Sequence, residues 1–405
     1  MTRKILFISG SFGLGHVFRD LEIAEELRRQ IPDSRIIWLA SEPAKSVLIR
    51  SGETLHPTIN EWSAETDILE SINKSSTEKG KVFHANPIRY LLKFRTAWSE
   101  NVKLFNEIMK EESYDLVIGD ETFELNLALR NRKIIKKPAF VMIIDFIGAD
   151  VMSKSPIETL IAYRMNYQWA KYKVRGKLVT PIFIGEEQDI PDKRFGFMLP
   201  DRKQIVKNRY NFVGYILSFN PEDYKFNNEI RKKLEFDSEP LVVCSVGGTS
   251  IGLPLLELCC RTYPLVKEKI HDIKMVLAAG PRVCTKYLNI PEGVILKEYV
   301  PRLFEYFAAS DLAIVQSGST TTLELVALNK PFLYFPVEGH FEQQLHVAPR
   351  LERLKAGVKM QFSQTTPAIL AEKIISNIGK QVNYPSIPLQ GAKNTVKIIR
   401  QIIES

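Results

Sequence analysis

Lys4-Ile-Leu-Phe-Ile-Ser9, running into Gly10-Ser-Phe-Gly13-Leu-Gly15-His16, decides how this chain folds. A short apolar run without polar alternation reads as a strand covered on both faces, as in a parallel sheet. The three glycines then mark a tight loop. From Val17 onward the apolar residues Leu21, Ile23, Ala24 and Leu27 recur at helical spacing. Arg35-Ile-Ile-Trp-Leu-Ala40 is the next strand. Strand, glycine loop, helix and strand together open a parallel α/β layer. Predicted strands at Asp115–Gly119 and Ala139–Ile144, with helices at Ile88–Lys110 and Ile157–Val174, extend it.

The second half opens the same way. Leu241-Val-Val-Cys-Ser245-Val246 reads as a strand, Gly247-Gly248-Thr249-Ser250-Ile251-Gly252 as a loop and Leu253–Glu268 as a helix. Strands at Ile273–Ala278, Val294–Lys297, Leu312–Val315 and Phe332–Phe335 alternate with helices at Arg302–Ala308, Thr320–Leu328 and Glu342–Leu354. Helices at Pro367–Ile378 and Ala392–Ile403 close the chain. The expected fold is α/β, with two doubly wound Rossmann-like domains facing a cleft. Their bounds are 1–218 and 219–385, joined where Asn, Pro, Glu and Asp cluster at Asn220–Asn228. Residues 386–405 are expected to pack back on the first domain. Open α/β sheets bind ligands outside the carboxyl ends of their strands, so both glycine loops are expected at the cleft.

Composition narrows the class. Of 405 residues 45% are hydrophobic and 25% charged, which excludes disordered, collagenous and disulfide-scaffold proteins. The formal net charge of +8 favours an anionic partner. It is too modest to suggest a nucleic-acid binder, and no RNA- or DNA-binding signature accompanies it. Cys244, Cys259, Cys260 and Cys284 form no CxxC pair and read as buried free thiols of a cytoplasmic protein. The first apolar run is too short for a signal-peptide core. None reaches the roughly 18 residues of a membrane span.

Three segments carry candidate chemistry. Backbone N–H groups of a glycine loop at a helix N-terminus attract anions, which qualifies both Gly13-Leu-Gly15 and Gly247-Gly248-Thr249. Neither is a P-loop, and Phe18 stands where a third glycine of GxGxxG would fall. Gln316-Ser317-Gly318-Ser319-Thr320-Thr321-Thr322-Leu323-Glu324 follows a strand and opens a helix rich in hydroxyls. Such a start can hold a pyrophosphate, and Glu324 one turn further in can accept both hydroxyls of a ribose. The same pattern also serves as an ordinary helix cap. His16, at the loop–helix junction, is the candidate general base; Asp120, at a strand end, would orient it or act as base itself.

Ala309-Ser-Asp-Leu-Ala-Ile-Val-Gln-Ser317-Gly318-Ser319-Thr-Thr-Thr-Leu-Glu324-Leu-Val-Ala-Leu-Asn-Lys-Pro331 resembles the donor-binding core of nucleotide-sugar glycosyltransferases of the two-Rossmann GT-B fold. The likeness is nearest to the bacterial N-acetylglucosaminyltransferase of peptidoglycan synthesis and the related UDP-glycosyltransferases. Pro336 to Val347 resembles their Gln-rich segment, with His346 where Asn is usual. Gly13-Leu-Gly15-His16, Ser245-Val-Gly247-Gly248-Thr249, Lys297-Glu-Tyr299-Val300-Pro301 and Asn211-Phe-Val-Gly214-Tyr resemble further blocks, in the same order. Arg19 stands where those proteins commonly have Pro.

The resemblance implies roles. Glu324 binds the donor ribose. Ser317, Gly318, Ser319 and Thr320, with Gly248 and Thr249, hold the pyrophosphate, and Gly15 is grouped with them. Val300 meets the base through its backbone, and Glu342 and Gln343 bind sugar hydroxyls, with His340 and His346 nearby. No Asp-x-Asp motif is present, so inverting transfer without metal or cofactor is expected, from a UDP-sugar or other nucleotide-sugar to an acceptor hydroxyl. The N-terminal half, which by resemblance takes the acceptor, holds all four tryptophans (Trp38, Trp62, Trp98, Trp169). It also holds two basic stretches: Arg130, Arg132, Lys133, Lys136, Lys137, and Tyr163 to Lys177. These suit an anionic membrane surface and a lipid-linked acceptor on the inner, cytoplasmic leaflet, with peripheral attachment. A UDP-sugar 2-epimerase of similar fold is the alternative, although no set of carboxylates or histidines for both sides of C2 stands out. A non-catalytic nucleotide-sugar-binding protein is the third reading.

Overall fold

Each half of the chain builds its own six-stranded, wholly parallel sheet. The computed structural model describes residues 2–10, 13–63, 87–135, 138–152, 154–170, 179–224, 227–248 and 250–404. The chain divides into two compact units, 1–218 with 388–405, and 219–387.

In the first unit β1 (Arg3–Ile8), β2 (Ser34–Leu39), β3 (Leu116–Asp120), β4 (Ala139–Ile144), β5 (Val179–Phe183) and β6 (Asn211–Phe212) lie in the order β2-β1-β3-β4-β5-β6. Ile5, Leu6, Phe7 and Ile8 are fully buried, which explains the unbroken apolar run. Ile5 and Phe7 join a core with Ile23, Ala24 and Leu27 of α1 (Leu14–Gln30), and Phe7 stacks on Trp38 at 4.4 Å. Leu6 and Ile8 face the opposite core. The other helices here are α2 (Ala44–Arg50), α3 (Pro87–Glu111), α4 (Phe123–Arg130), α5 (Pro156–Ala170) and α6 (Arg202–Lys207). α3 contributes Phe105 and Ile108 to that second core. β5 contains Pro181, which a strand reading passes over. β6 pairs only with Ile182 and Phe183, so no ladder on that side needs the missing N–H.

In the second unit β7 (Leu241–Ser245), β8 (Lys274–Ala278), β9 (Val294–Lys297), β10 (Leu312–Gln316), β11 (Phe332–Phe335) and β12 (Val358–Lys359) are ordered β12-β11-β10-β7-β8-β9. Helices α7 (Asn227–Lys233), α8 (Leu253–Lys267), α9 (Leu303–Ala309), α10 (Ser319–Ala327), α11 (Ala348–Arg353) and α12 (Pro367–Asn377) cover it. The helix expected over Glu342–Leu354 begins instead as a wide π turn, Gln343–Val347, before α11. Pro349 has no N–H to continue an ordinary helical ladder, which favours the looser turn. Cys244, Cys259 and Cys260 are buried free thiols, but Cys284 is exposed, in the loop between β8 and β9, correcting the expectation that all four are buried.

The last helix, α13 (Gly391–Glu404), belongs to the first unit. It places the fully buried Val396 and Ile399 in the core with Ile23 and Leu27 of α1. Gly391 needs its bare Cα, since a Cβ there would lie 2.6 Å from the Tyr215 carbonyl oxygen. Ile399→Ala should therefore destabilise the protein by roughly 2–5 kcal/mol. Urea denaturation measures it; a midpoint equal to the parent protein's would mean that α13 adds nothing to this core.

Candidate active site

Strand order reverses between β1 and β3 in the first sheet and between β7 and β10 in the second. At such a point neighbouring loops leave in opposite directions and open a crevice at the carboxyl ends of the strands. His16, Asp120, Gly248 and Ser317 lie at these loops, whereas Val300 follows β9 and Glu342 and Gln343 follow β11.

In the first unit the loop after β1 enters α1 at Leu14, so Gly15 and His16 lie in its first turn, and β3 ends on Asp120. His16 Nδ1 is 2.8 Å from Asp120 Oδ2. Arg19, one turn along α1, donates from Nη2 to Asp120 Oδ1 at 2.6 Å and from Nη1 to Asp145 Oδ2 at 2.8 Å. The same Nη2 lies 2.8 Å from His16 Nδ1. Arg19 and Asp120 are buried. Burial alone would push the Asp120 and Asp145 carboxyls up; Arg19 first, then His16, outweigh it and hold both below the usual range. Asp20, which accepts from the Ser9 hydroxyl at 2.6 Å, is raised well above that range by burial and by Asp120. Gly10 lies against the pair: a Cβ there would come within 2.8 Å of Asp120 Oδ2 and 3.0 Å of His16 Nδ1.

Asp145 and the part played by Arg19 escape sequence reasoning. One signal was available: Asp145 ends an apolar strand as Asp120 does, and β3 pairs with β4. Ligand atoms of His16, Glu121 and Asp145 lie within 4.8 Å of one another, a spacing that a metal ion could use. The Arg19 guanidinium already supplies positive charge to Asp145 in that cluster.

In the second unit Ser317 follows β10, Gly318 caps α10, and Ser319 and Thr320 form its first turn. Ser319 Oγ accepts from the buried Arg350 at 2.9 Å, which places a guanidinium beside the helix start. The Thr322 hydroxyl bonds back to the Gly318 and Ser319 carbonyls, both at 3.0 Å. Gln316 Nε2 donates to the Ile251 carbonyl at 3.4 Å, tying this loop to the one carrying Gly247 and Gly248. Gly247 has φ +75°, a left-handed conformation natural to glycine. Thr249 lies outside the described residues.

Glu324 is buried in α10, and burial pushes its carboxyl up to about 8. Among the described residues no hydrogen bond or cation to that carboxylate is present. Val300 lies half-buried in the irregular segment between β9 and α9. Gln343 Oε1 accepts from the Val337 N–H at 2.9 Å, so part of its side chain holds the loop rather than facing a ligand. Glu342 is half-buried, His346 is buried edge-on to Phe341, and burial pushes His340 down to about 4, leaving it neutral at pH 7.

The basic stretches of the first unit are only partly described: Lys136, Lys137 and residues 171–178 lie outside the described residues. Arg132, Lys133 and Arg164 are exposed. Trp38 and Trp62 belong to the cores, so those two tryptophans offer nothing to a surface. Apolar side chains are exposed instead: Ile157, Leu160 and Met165 on α5, with Phe197 at 83% and Met198 at 80%. The Tyr163 hydroxyl donates to the Phe197 carbonyl at 3.2 Å, joining that loop to α5.

Residues 242–396 match the model of the glycosyltransferase family 28 C-terminal domain. An uncharacterized glycosyltransferase of Methanosarcina acetivorans is 35% identical over 390 residues, 94% of this chain and 88% of that protein. The UDP-N-acetylglucosamine--N-acetylmuramyl-(pentapeptide) pyrophosphoryl-undecaprenol N-acetylglucosamine transferase of Clostridioides difficile is 24% identical over 396 residues, 93% of this chain and 81% of its own. Among solved structures, the glycotransferase of kitacinnamycin is similar in fold, with a TM-score of 0.58 at 14% identity over 100% of this chain and 95% of its own.

The state of Glu324 has a measurable consequence. Its folded carboxyl is raised from 4.5 to about 8, so between those values the folded protein holds a proton that the unfolded chain has released. The associated stability is present below the lower value and is lost as pH rises through the higher one. Glu324→Gln cannot ionise. It should match the parent protein at acid pH and exceed it at pH 9 by an amount on the order of 2–4 kcal/mol. Urea denaturation at both pH values decides; equal stabilities at pH 9 would remove the uncompensated buried carboxylate.

Proposed function

This chain belongs to the nucleotide-sugar glycosyltransferases of the two-domain GT-B fold, and on that premise we propose that it is an inverting, metal-independent enzyme moving a sugar from UDP to the hydroxyl of a lipid-linked acceptor. The observation that carries the mechanism is the His16–Asp120 pair at the carboxyl end of the first sheet. With Nδ1–H donated to Asp120, Nε2 is bare and takes the proton of the acceptor hydroxyl. The freed oxygen attacks the anomeric carbon as the bond to the pyrophosphate oxygen breaks. A single displacement inverts that carbon, and His16 later returns its proton to solvent.

In the donor half of this reading, the N-terminus of α10 and the Gly248 backbone meet the charge that develops on the pyrophosphate. Ser319, oriented by Arg350, adds a hydroxyl. Glu324 accepts the two ribose hydroxyls. That need for two hydroxyls favours UDP over a deoxyribose donor, which lacks one of them. Ribose binding would stabilise the ionised carboxylate that burial otherwise disfavours. Val300 contacts the base, and Glu342 and the free part of Gln343 contact the sugar.

The lipid-linked acceptor is supported by the surface of the first unit. Exposed Leu160 and Met165 lie on α5, which also carries exposed Arg164, and exposed Phe197 and Met198 lie on its neighbouring loop. Apolar side chains with basic neighbours suit the headgroup level of an anionic bilayer. Among the described residues no helix is long and apolar enough to cross a membrane, so this reading makes the attachment peripheral. The pyrophosphoryl-undecaprenol acceptor named for the Clostridioides difficile relative fits the same reading and suggests a cytoplasmic-leaflet site.

Release of UDP from UDP-N-acetylglucosamine, with a polyprenyl pyrophosphate-linked sugar as acceptor, tests the activity. His16→Ala should lower turnover roughly 10²–10⁴-fold with UDP affinity nearly unchanged. A near-normal rate would end the base assignment. Appearance of a C2 epimer without acceptor would replace transfer by epimerisation.

Membrane docking is read separately, by co-sedimentation with vesicles containing anionic lipid. The protein should pellet at low salt and be released at high salt, and Phe197→Ser with Met198→Ser should weaken pelleting at low salt. Equal absence from the pellet at both salts would point to a soluble acceptor.

A further inference from the structure

We infer that Arg19 is the positioning residue of the His16–Asp120 pair: it holds Asp120 in one orientation, offsets the charge of Asp145, and so keeps the imidazole donating from Nδ1 to Asp120. The inference rests on the reading of His16 as base.

Two neighbours of His16 Nδ1 cannot both bond to it. His16 Nδ1 lies 2.8 Å from a carboxylate oxygen of Asp120 and 2.8 Å from Nη2 of Arg19. A bare Nδ1 would accept from Arg19 but set its lone pair against the negative Asp120 Oδ2. A protonated Nδ1 makes a charge-assisted bond to that oxygen instead. Nη2 of Arg19 then keeps its own partner, Asp120 Oδ1 at 2.6 Å, and Nη1 keeps Asp145 Oδ2 at 2.8 Å. The two oxygens of Asp120 are thus divided, one to the guanidinium and one to the imidazole, and the carboxylate has no freedom to rotate.

Charge supplies the second half. Asp120 ends β3 and Asp145 follows β4, the neighbouring strand, so two ionised carboxylates converge on one buried place. Asp20 of α1 and Glu121 after β3 also face Arg19. A nearby carboxylate favours the charged form of an imidazole, and an imidazolium cannot take a proton from an acceptor. The guanidinium, only 5% exposed, offsets one of the two carboxylates. Arg19 lies three residues after His16, on the same face of α1. Proline, common here in the proteins that this sequence resembles, has neither the charge nor the fork, so this site is balanced by a device of its own.

The test is the pH dependence of kcat/KM, which a merely structural role would not move. Arg19→Met should move the acid limb up by about 1–2 pH units with the donor KM unchanged, and activity should recover at alkaline pH. Adding Asp145→Asn should bring the limb back. If Arg19→Met does not fold, Asp145→Asn alone still decides, because it should move the limb down. Nitrogen NMR of the imidazoles in the unaltered protein should show His16 as the Nδ1–H tautomer. An Nε2–H tautomer, or an acid limb unmoved in the folded variants while His16→Ala is inactive, would overturn the inference and leave the base reading standing. A His16→Ala protein of normal rate would instead sink the base reading itself.

Discussion

A parallel sheet covered on both faces has almost nowhere to put a polar side chain. β1 is fully buried along Ile5–Ile8, and β7 and β10 are nearly as closed. The one place open to chemistry is the carboxyl end of each strand, and it is widest where the strand order reverses. Ser9, Asp120 and Asp145 occupy those ends in the first sheet, and Ser245 and Ser317 in the second. The glycines follow from the same crowding. Gly10 lets the backbone pass beside the His16–Asp120 pair, and Gly280 lets a loop approach the Gly247 carbonyl, which a Cβ would meet at 2.0 Å.

The two units treat buried charge in opposite ways. In the first, the Arg19 guanidinium bonds to both Asp120 and Asp145 and holds their carboxyls below the usual range. Removing that guanidinium would leave buried carboxylates uncompensated, typically a loss of about 3–5 kcal/mol. In the second, no cation faces Glu324 among the described residues, and burial raises its carboxyl to about 8. At neutral pH the Glu324 carboxyl therefore keeps its proton. Arg350 adds fixed positive character beside the α10 N-terminus through Ser319, where a diphosphate would need it.

Much of this was legible in the sequence because the signals are local. An unbroken apolar run, a glycine loop and a helical period identify β1 and α1 within a few residues, and the same sequence of signals identifies β7 and α8. The hydroxyl-rich start of α10 and the place of Glu324 one turn inside it follow from helix geometry alone. His16 stood out as a histidine at a loop–helix junction, and Asp120 as a strand-end carboxylate expected to orient it or to act as base itself. Across the 104 residues that separate them, the fold sets their contact at 2.8 Å.

What only the tertiary structure decided depends on strand order and packing, which local patterns do not encode. Asp145 reaches Arg19 across 126 residues because β4 lies beside β3, and Arg350 reaches Ser319 because α11 packs near the start of α10. The π turn before α11 follows from a proline placed where a helix was expected to run on. Trp38 and Trp62 read as surface aromatics but fill the cores, while Cys284 is exposed and Phe197 and Met198 stand outside. Hydrophobicity states which residues gain from burial; the area available at the packed faces determines which of them obtain it.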